Sequence, residues 1–123
     1  MTSRKIVVVD KNEDSRIKYM NKFESSGYIV LEAEDGKQVI ELLSNWEDIS
    51  EIDLIVFNIH IPKADDVEAI KLIIRRFPSI PITLVSEHTD SIIFSPFKSL
   101  RGKITFVKPN ENIMISEVQS ICI

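Results

Sequence analysis

Polar residues follow short apolar runs at four places: Asp10-Lys11 after Ile6 to Val9, Asn58 after Leu54 to Phe57, Ser86 after Ile82 to Val85, and Lys108 after Ile104 to Val107. If those runs are strands of one open α/β sheet, their carboxyl ends share an edge, where such sheets gather ligands and chemistry. The set comprises one carboxylate, one carboxamide, one hydroxyl and two ammonium groups, so its formal charge is positive by one. A neutral carboxamide is not an anionic oxygen nucleophile, so Asn58 cannot serve as one. Lys11 has two readings. Its ammonium pairs with Asp10 or with the amide oxygen of Asn58, or it is a loop lysine whose long stem carries the charge out to water. For Asn58 the plainer reading is an amide hydrogen-bonded to Lys108.

Other polar residues fit chemistry less well. Asp65 and Asp66 precede an apolar periodic stretch, where helix capping accounts for them. His60 lies two residues beyond Asn58, but a solvent-exposed loop histidine explains it better than a nucleophilic role at that edge. His88 has no His, Cys or paired acid at ligand spacing, so the sequence shows no metal site. Cys122 is the single cysteine, which excludes an internal disulfide and suits a reducing cytoplasm.

The elements that must position these residues are legible as alternation. Tyr28 to Glu32 adds a fifth apolar run to the four above, and amphipathic stretches separate them. Val39, Leu42, Leu43 and Trp46 repeat with helical spacing, as do Val67, Ile70, Ile74 and Phe77. Met114, Val118 and Ile121 give a last helix its buried stripe. Gly27 should close the first helix and Pro78 should stop the third. Pro96 removes a donor within Ser91 to Leu100, so the fourth crossover is expected to be short, kinked or broken. The pattern predicts a doubly wound, five-stranded parallel sheet covered by helices on both faces. With 123 residues, 44% of them apolar, the chain has the size of one domain over residues 1–123 and can bury most of a core. The formal net charge is −4, and Lys and Arg form no basic stripe, so direct nucleic-acid binding is not expected. The apolar run after Met1 is too short for a signal segment or a membrane span, and a soluble cytoplasmic protein is the expectation.

The chain resembles the receiver family of bacterial response regulators over its full length. The resemblance rests on Ile6-Val7-Val8-Val9-Asp10, Asp35-Gly36, Asp53-Leu54-Ile55-Val56-Phe57-Asn58-Ile59-His60-Ile61-Pro62, Pro81-Ile82-Thr83-Leu84-Val85-Ser86 and Val107-Lys108-Pro109. It implies a flavodoxin-like fold with strand order 2-1-3-4-5. In that family two adjacent acids and an aspartate after the third strand hold Mg²⁺, and that aspartate is phosphorylated. Asp10 then matches the first acid, Ser86 the hydroxyl and Lys108 the lysine that meet the phosphoryl group. Lys11 stands at the second acid and Asn58 at the phosphoacceptor, while Thr105 occupies the place of an aromatic switch residue. The resemblance also implies a cis peptide at Lys108-Pro109. Mg²⁺ depends on carboxylate oxygens, so its binding is expected to be lost, and no other cofactor is expected.

These readings lead to a degenerate, non-enzymatic receiver that acts as a phosphorylation-independent protein-binding module in two-component signal transduction. The expected contact, to a protein partner or a second copy, is the face of the fourth helix, fifth strand and fifth helix, with Ile92, Phe94, Phe97 and Thr105 as interface candidates. Ile92, Ile93, Phe94, Phe97 and Leu100 are more large apolar groups than a broken helix should bury, which suggests an exposed patch. Two alternatives remain open. One is a phosphotransfer switch using Asp10 or Asp66. The other is a small-ligand binder, against which stand the acids of Asp10-Lys11-Asn12-Glu13-Asp14 and the lack of a glycine-rich cradle.

Overall fold

The computed structural model describes residues 4–100 and 103–109. Five strands, β1 (Lys5–Val9), β2 (Ile29–Ala33), β3 (Ile52–Asn58), β4 (Ile82–Val85) and β5 (Ile104–Val107), form one parallel sheet in the order β2-β1-β3-β4-β5. Three α-helices are described: α1 (Glu13–Ser25), α2 (Gly36–Ser44) and α3 (Ala64–Arg76). The stripe of Met114, Val118 and Ile121, and Cys122, lie outside the described residues. Among the described residues, no helix is long and apolar enough to cross a membrane.

Alternation along β1 divides the core. Val7 and Val9 face α2 and α3 with Ile55, Phe57, Val39, Leu43, Ile70 and Ile73, whereas Ile6 and Val8 face α1 with Leu54, Val56, Tyr19 and Phe23. Both faces of the central strands are therefore buried, which is why those strands read as continuous apolar runs.

The helix ends follow local chemistry. Asn12 Oδ1 accepts from Ser15 N at 2.9 Å to cap α1, and Asp35 Oδ1 accepts from Gln38 N at 2.9 Å to cap α2. Gly27, at φ 93°, closes α1 in the left-handed region that suits glycine. At α3 the N-cap is Lys63, and Asp66 reaches back from the first turn to accept the Lys63 N–H at 3.0 Å. α3 ends at Arg76, before Pro78, whose ring disfavours helical backbone in the preceding residue Phe77.

The fourth crossover is a 3-10 segment, Ile92–Phe97, capped by Ser91 and containing Pro96. Its bonds are short-range, as in Phe94 N to Ser91 O and Lys98 N to Ser95 O. Phe94 and Phe97 are buried in the core with Ile82, Leu84 and Ile104, which corrects the expectation that they contribute to an exposed patch. The physical reason is the 3-10 period, in which residues three apart eclipse each other, so both rings point inward together. Ile92 alone of that group is well exposed, at 86%.

Candidate functional site

Asp10 leaves the end of β1 fully buried, and its two carboxylate oxygens receive three N–H donors. Oδ1 accepts from Asn12 N at 3.0 Å and contacts His60 Nε2 at 2.8 Å, while Oδ2 accepts from Asn58 Nδ2 at 3.0 Å. An ionised carboxylate offers only lone pairs, so the contact assigns the hydrogen to Nε2 of His60. The backbone carbonyl of Asp10 is held separately by Arg16 Nη1 at 2.8 Å, and Arg16 Nε lies 3.5 Å from Glu32 Oε1. α1 is thereby tied to the edge of the site.

Asn58 ends β3, paired in register with Val85 of β4, and is buried. Its amide bridges Asp10 and Ser15 Oγ, the latter at 3.3 Å. The reading of Asn58 as a partner of Lys108 is thus corrected. Ser86 follows β4, where its N–H bonds Val107 O of β5 at 3.0 Å. Its buried hydroxyl accepts from His88 N at 3.0 Å and so shapes its own turn.

The two lysines stand apart from this cluster. Lys11 Nζ lies 3.8 Å from Asp66 Oδ1 with its side chain 58% exposed, so it pairs with α3 and not with Asp10 or Asn58. Lys108 is exposed and makes no hydrogen bond or ion pair among the described residues. Peptide bonds among the described residues are all trans, Lys108-Pro109 included, which corrects the cis expectation. Thr105 pairs in register with Thr83 and is half-buried on β5.

His60 is the exposed loop histidine that the sequence suggests, with one contact that the sequence reading did not anticipate. Its side chain is 49% exposed, as a loop histidine should be, yet its ring nitrogen closes the Asp10 cluster. Position supplied a signal: His60 lies only two residues past the end of β3, beside the edge where Asp10 and Asn58 sit. Asn12, Ser15 and Arg16 were also missed, although the spacing of Asn12 and Ser15 is that of a helix cap. Among the described residues, no three His, Cys, Asp or Glu side chains group to hold a metal ion.

Beside the cluster lies a small cavity of about 160 Å³ between the end of β3 and the start of α3, with Phe57, Ile59 and Ile61 contributing its apolar side.

Comparison with known proteins agrees with the topology. The model of the response regulator receiver domain matches residues 6–118. The transcriptional regulatory protein DegU of Brevibacillus brevis is 30% identical over 87 residues, which cover 69% of this chain and 35% of that protein. The alkaline phosphatase synthesis transcriptional regulatory protein PhoP of Bacillus subtilis is 30% identical over 94 residues, covering 74% of this chain and 38% of that protein. The chain therefore spans little more than a third of these curated relatives. Among solved structures, the signal receiver domain of an HD domain-containing protein from Pseudomonas fluorescens superposes with a TM-score of 0.81 at 18% identity, covering 99% of this chain and 88% of that one.

Proposed function

Because the chain belongs to the response regulator receiver family, we propose that it serves two-component signalling as a protein-binding receiver that does not depend on aspartyl phosphorylation. The observation that supports this most directly is the filling of both Asp10 oxygens by N–H donors from Asn12, Asn58 and His60. A Mg²⁺ ion would need those oxygens and further oxygen ligands nearby. The position after Asp10 instead carries the ammonium of Lys11, and Asn58 offers a neutral amide, so this donor set does not fit the ion. Asn58 also lacks the nucleophile that an acyl phosphate requires.

The two acids that could take over are engaged: Asp10 in the cluster, Asp66 with Lys63 N and Lys11. The protein's output then depends on the surface it presents to a partner, without a chemical cycle at this edge. Incubation with acetyl phosphate and Mg²⁺, followed by intact-mass measurement, tests the reading. The expected result is an unmodified mass. A stoichiometric, Mg²⁺-dependent phosphoryl adduct on the unaltered chain would overturn it.

A further inference from the structure

We propose that the free edge of β2 takes up an extended segment of a partner protein, and that an arginine of this segment lodges against Trp46. The inference rests on reading the chain as a protein-binding module and names both the surface used and the chemistry of what it binds.

The backbone supplies the first half. β2 is an outer strand of the sheet, paired with β1 on one side and, among the described residues, with nothing on the other. Its inward groups are identified by their partners: Ile29 N donates to Arg4 O at 2.8 Å, and Ala33 O accepts from Asp10 N at 3.1 Å. Backbone groups alternate along a strand, so the N–H and C=O of Val30 and Glu32 point outward. The next outward donor, Glu34 N, is closed by Gln38 Oε1 at 2.8 Å. What stays open is a short template for one added strand, the geometry by which extended peptides join sheet edges.

The cleft beside this edge decides which side chain the segment carries. It measures about 440 Å³ and is lined by Glu32 of β2 and by Glu41, Leu42 and Trp46, which lie in or just after α2. An adjoining cleft of about 250 Å³ shares Trp46 and adds Glu47 and Glu51. Together the two are lined by four glutamates and by no lysine, arginine or histidine. Two of these carboxylates have no counter-charge: Glu41 and Glu47 are exposed, and their side chains make no hydrogen bond or ion pair among the described residues. Glu32 meets Arg16 Nε through Oε1 at 3.5 Å but keeps 54% of its side chain exposed. Glu51 is shared between Lys5 Nζ at 3.4 Å and Trp46 Nε1 at 3.3 Å. The second of these bonds holds the indole, whose face attracts a cation through the ring quadrupole. A guanidinium suits such a wall better than an ammonium, because it is planar, stacks on aromatic rings and bonds a carboxylate with two N–H groups. An acidic occupant would meet only like charge.

The probe is a blocked pentapeptide with arginine at its centre and threonine at the other four positions. Trp46 is the single tryptophan, so its fluorescence reports on the cleft, while amide NMR of nitrogen-15-labelled protein reports on the edge. Saturable shifts are expected for the Val30 and Glu32 amides and for the Trp46 indole N–H. Replacing the arginine with citrulline, its uncharged counterpart, should weaken binding about fivefold or more. The double change Glu41→Lys with Glu47→Lys, at exposed positions whose side chains hold no partner, should do the same. N-methylation of the peptide's backbone amides removes the donors that a strand needs and should abolish the shifts at Val30 and Glu32. The proposal is overturned if none of these signals moves, if the citrulline peptide binds equally, or if the N-methylated peptide shifts Val30 and Glu32 equally. Blocked arginine binding as tightly as the peptide would also overturn it, by making the cleft a small-ligand site. A silent titration beside an unmodified mass in the phosphodonor experiment removes this edge only. A phosphoryl adduct beside saturable peptide binding removes the phosphorylation-independent reading and leaves the edge standing.

Discussion

The imidazole of His60 and the carboxylate of Asp10 meet at 2.8 Å, one half-exposed and the other fully buried. Hydrogen bonds to a charged group contribute about 1.5–3 kcal/mol, and exposure of the ring reduces this contact to the lower part of that range or below. His60→Ala should therefore lower stability by about 1 kcal/mol in urea denaturation. His60→Gln, which retains an N–H donor on a side chain of similar reach, should lose less. Equal losses in the two variants would show that ring packing, not the hydrogen bond, is what His60 contributes.

Asn58→Asp places a second carboxylate where an amide now donates to Asp10 at 3.0 Å. A buried donor becomes a like charge, and a loss of about 1–3 kcal/mol at neutral pH is expected. The sign of its pH dependence follows. The new carboxyl's folded-state pKa is raised above its unfolded value, so the penalty is present above the folded pKa and fades as pH falls toward the unfolded value of about 3.9. Denaturation of the variant across acidic pH checks this. With acetyl phosphate and Mg²⁺, the single variant should remain essentially unmodified, whereas adding Lys11→Asp rebuilds an acid pair and should permit labelling. Labelling of the single variant as fast as the double would show that Lys11, already turned toward Asp66, offers no obstacle.

Gly36 opens α2 at a point where a Cβ atom would stand 2.4 Å from Ala69 Cβ of α3. Gly36→Ala should cost about 1–3 kcal/mol through overpacking. Combining it with Ala69→Gly should recover part of that loss, and a double-mutant cycle measures the coupling. Strict additivity of the two changes would mean that the helices separate without cost.

Phe94 and Ile92 lie two residues apart with opposite fates, the first buried and the second exposed. Phe94→Ala should cost about 3–5 kcal/mol. Ile92→Ser should stay within about 0.5 kcal/mol. Thermal or urea unfolding of both separates core from surface, and a large loss from Ile92→Ser would restore this residue to a packing role.

The central strands were legible because burial on both faces leaves uninterrupted apolar runs, and β1, β4 and β5 carry the polar residue expected directly after them. β3 extends one residue further and takes Asn58 into the strand. Gly27 was legible for a local reason, a left-handed cap that glycine adopts without strain. Pro96 announced an irregular crossover but not its period, and the period determined that Phe94 and Phe97 turn inward. The site was harder to read because it depends on side-chain direction. Asp10, Asn58 and Ser86 occupy the expected edge, yet composition gives no sign that Lys11 leans toward α3 while His60 turns back to Asp10.

The Asp10 cluster also has a consequence for competition in solution. A donor carried on the same chain faces its acceptor at an effective concentration that short tethers raise to roughly the millimolar range. His60 is anchored only two residues past β3, and the Asn58 amide sits on the strand itself, so neither diffuses away when it lets go. A free cation would have to displace donors that are tethered beside their acceptor. On the proposed reading, addition of Mg²⁺ should leave the amide NMR signals of Asp10, Asn58 and His60 in place, and a saturable shift of all three would show that the ion displaces these donors.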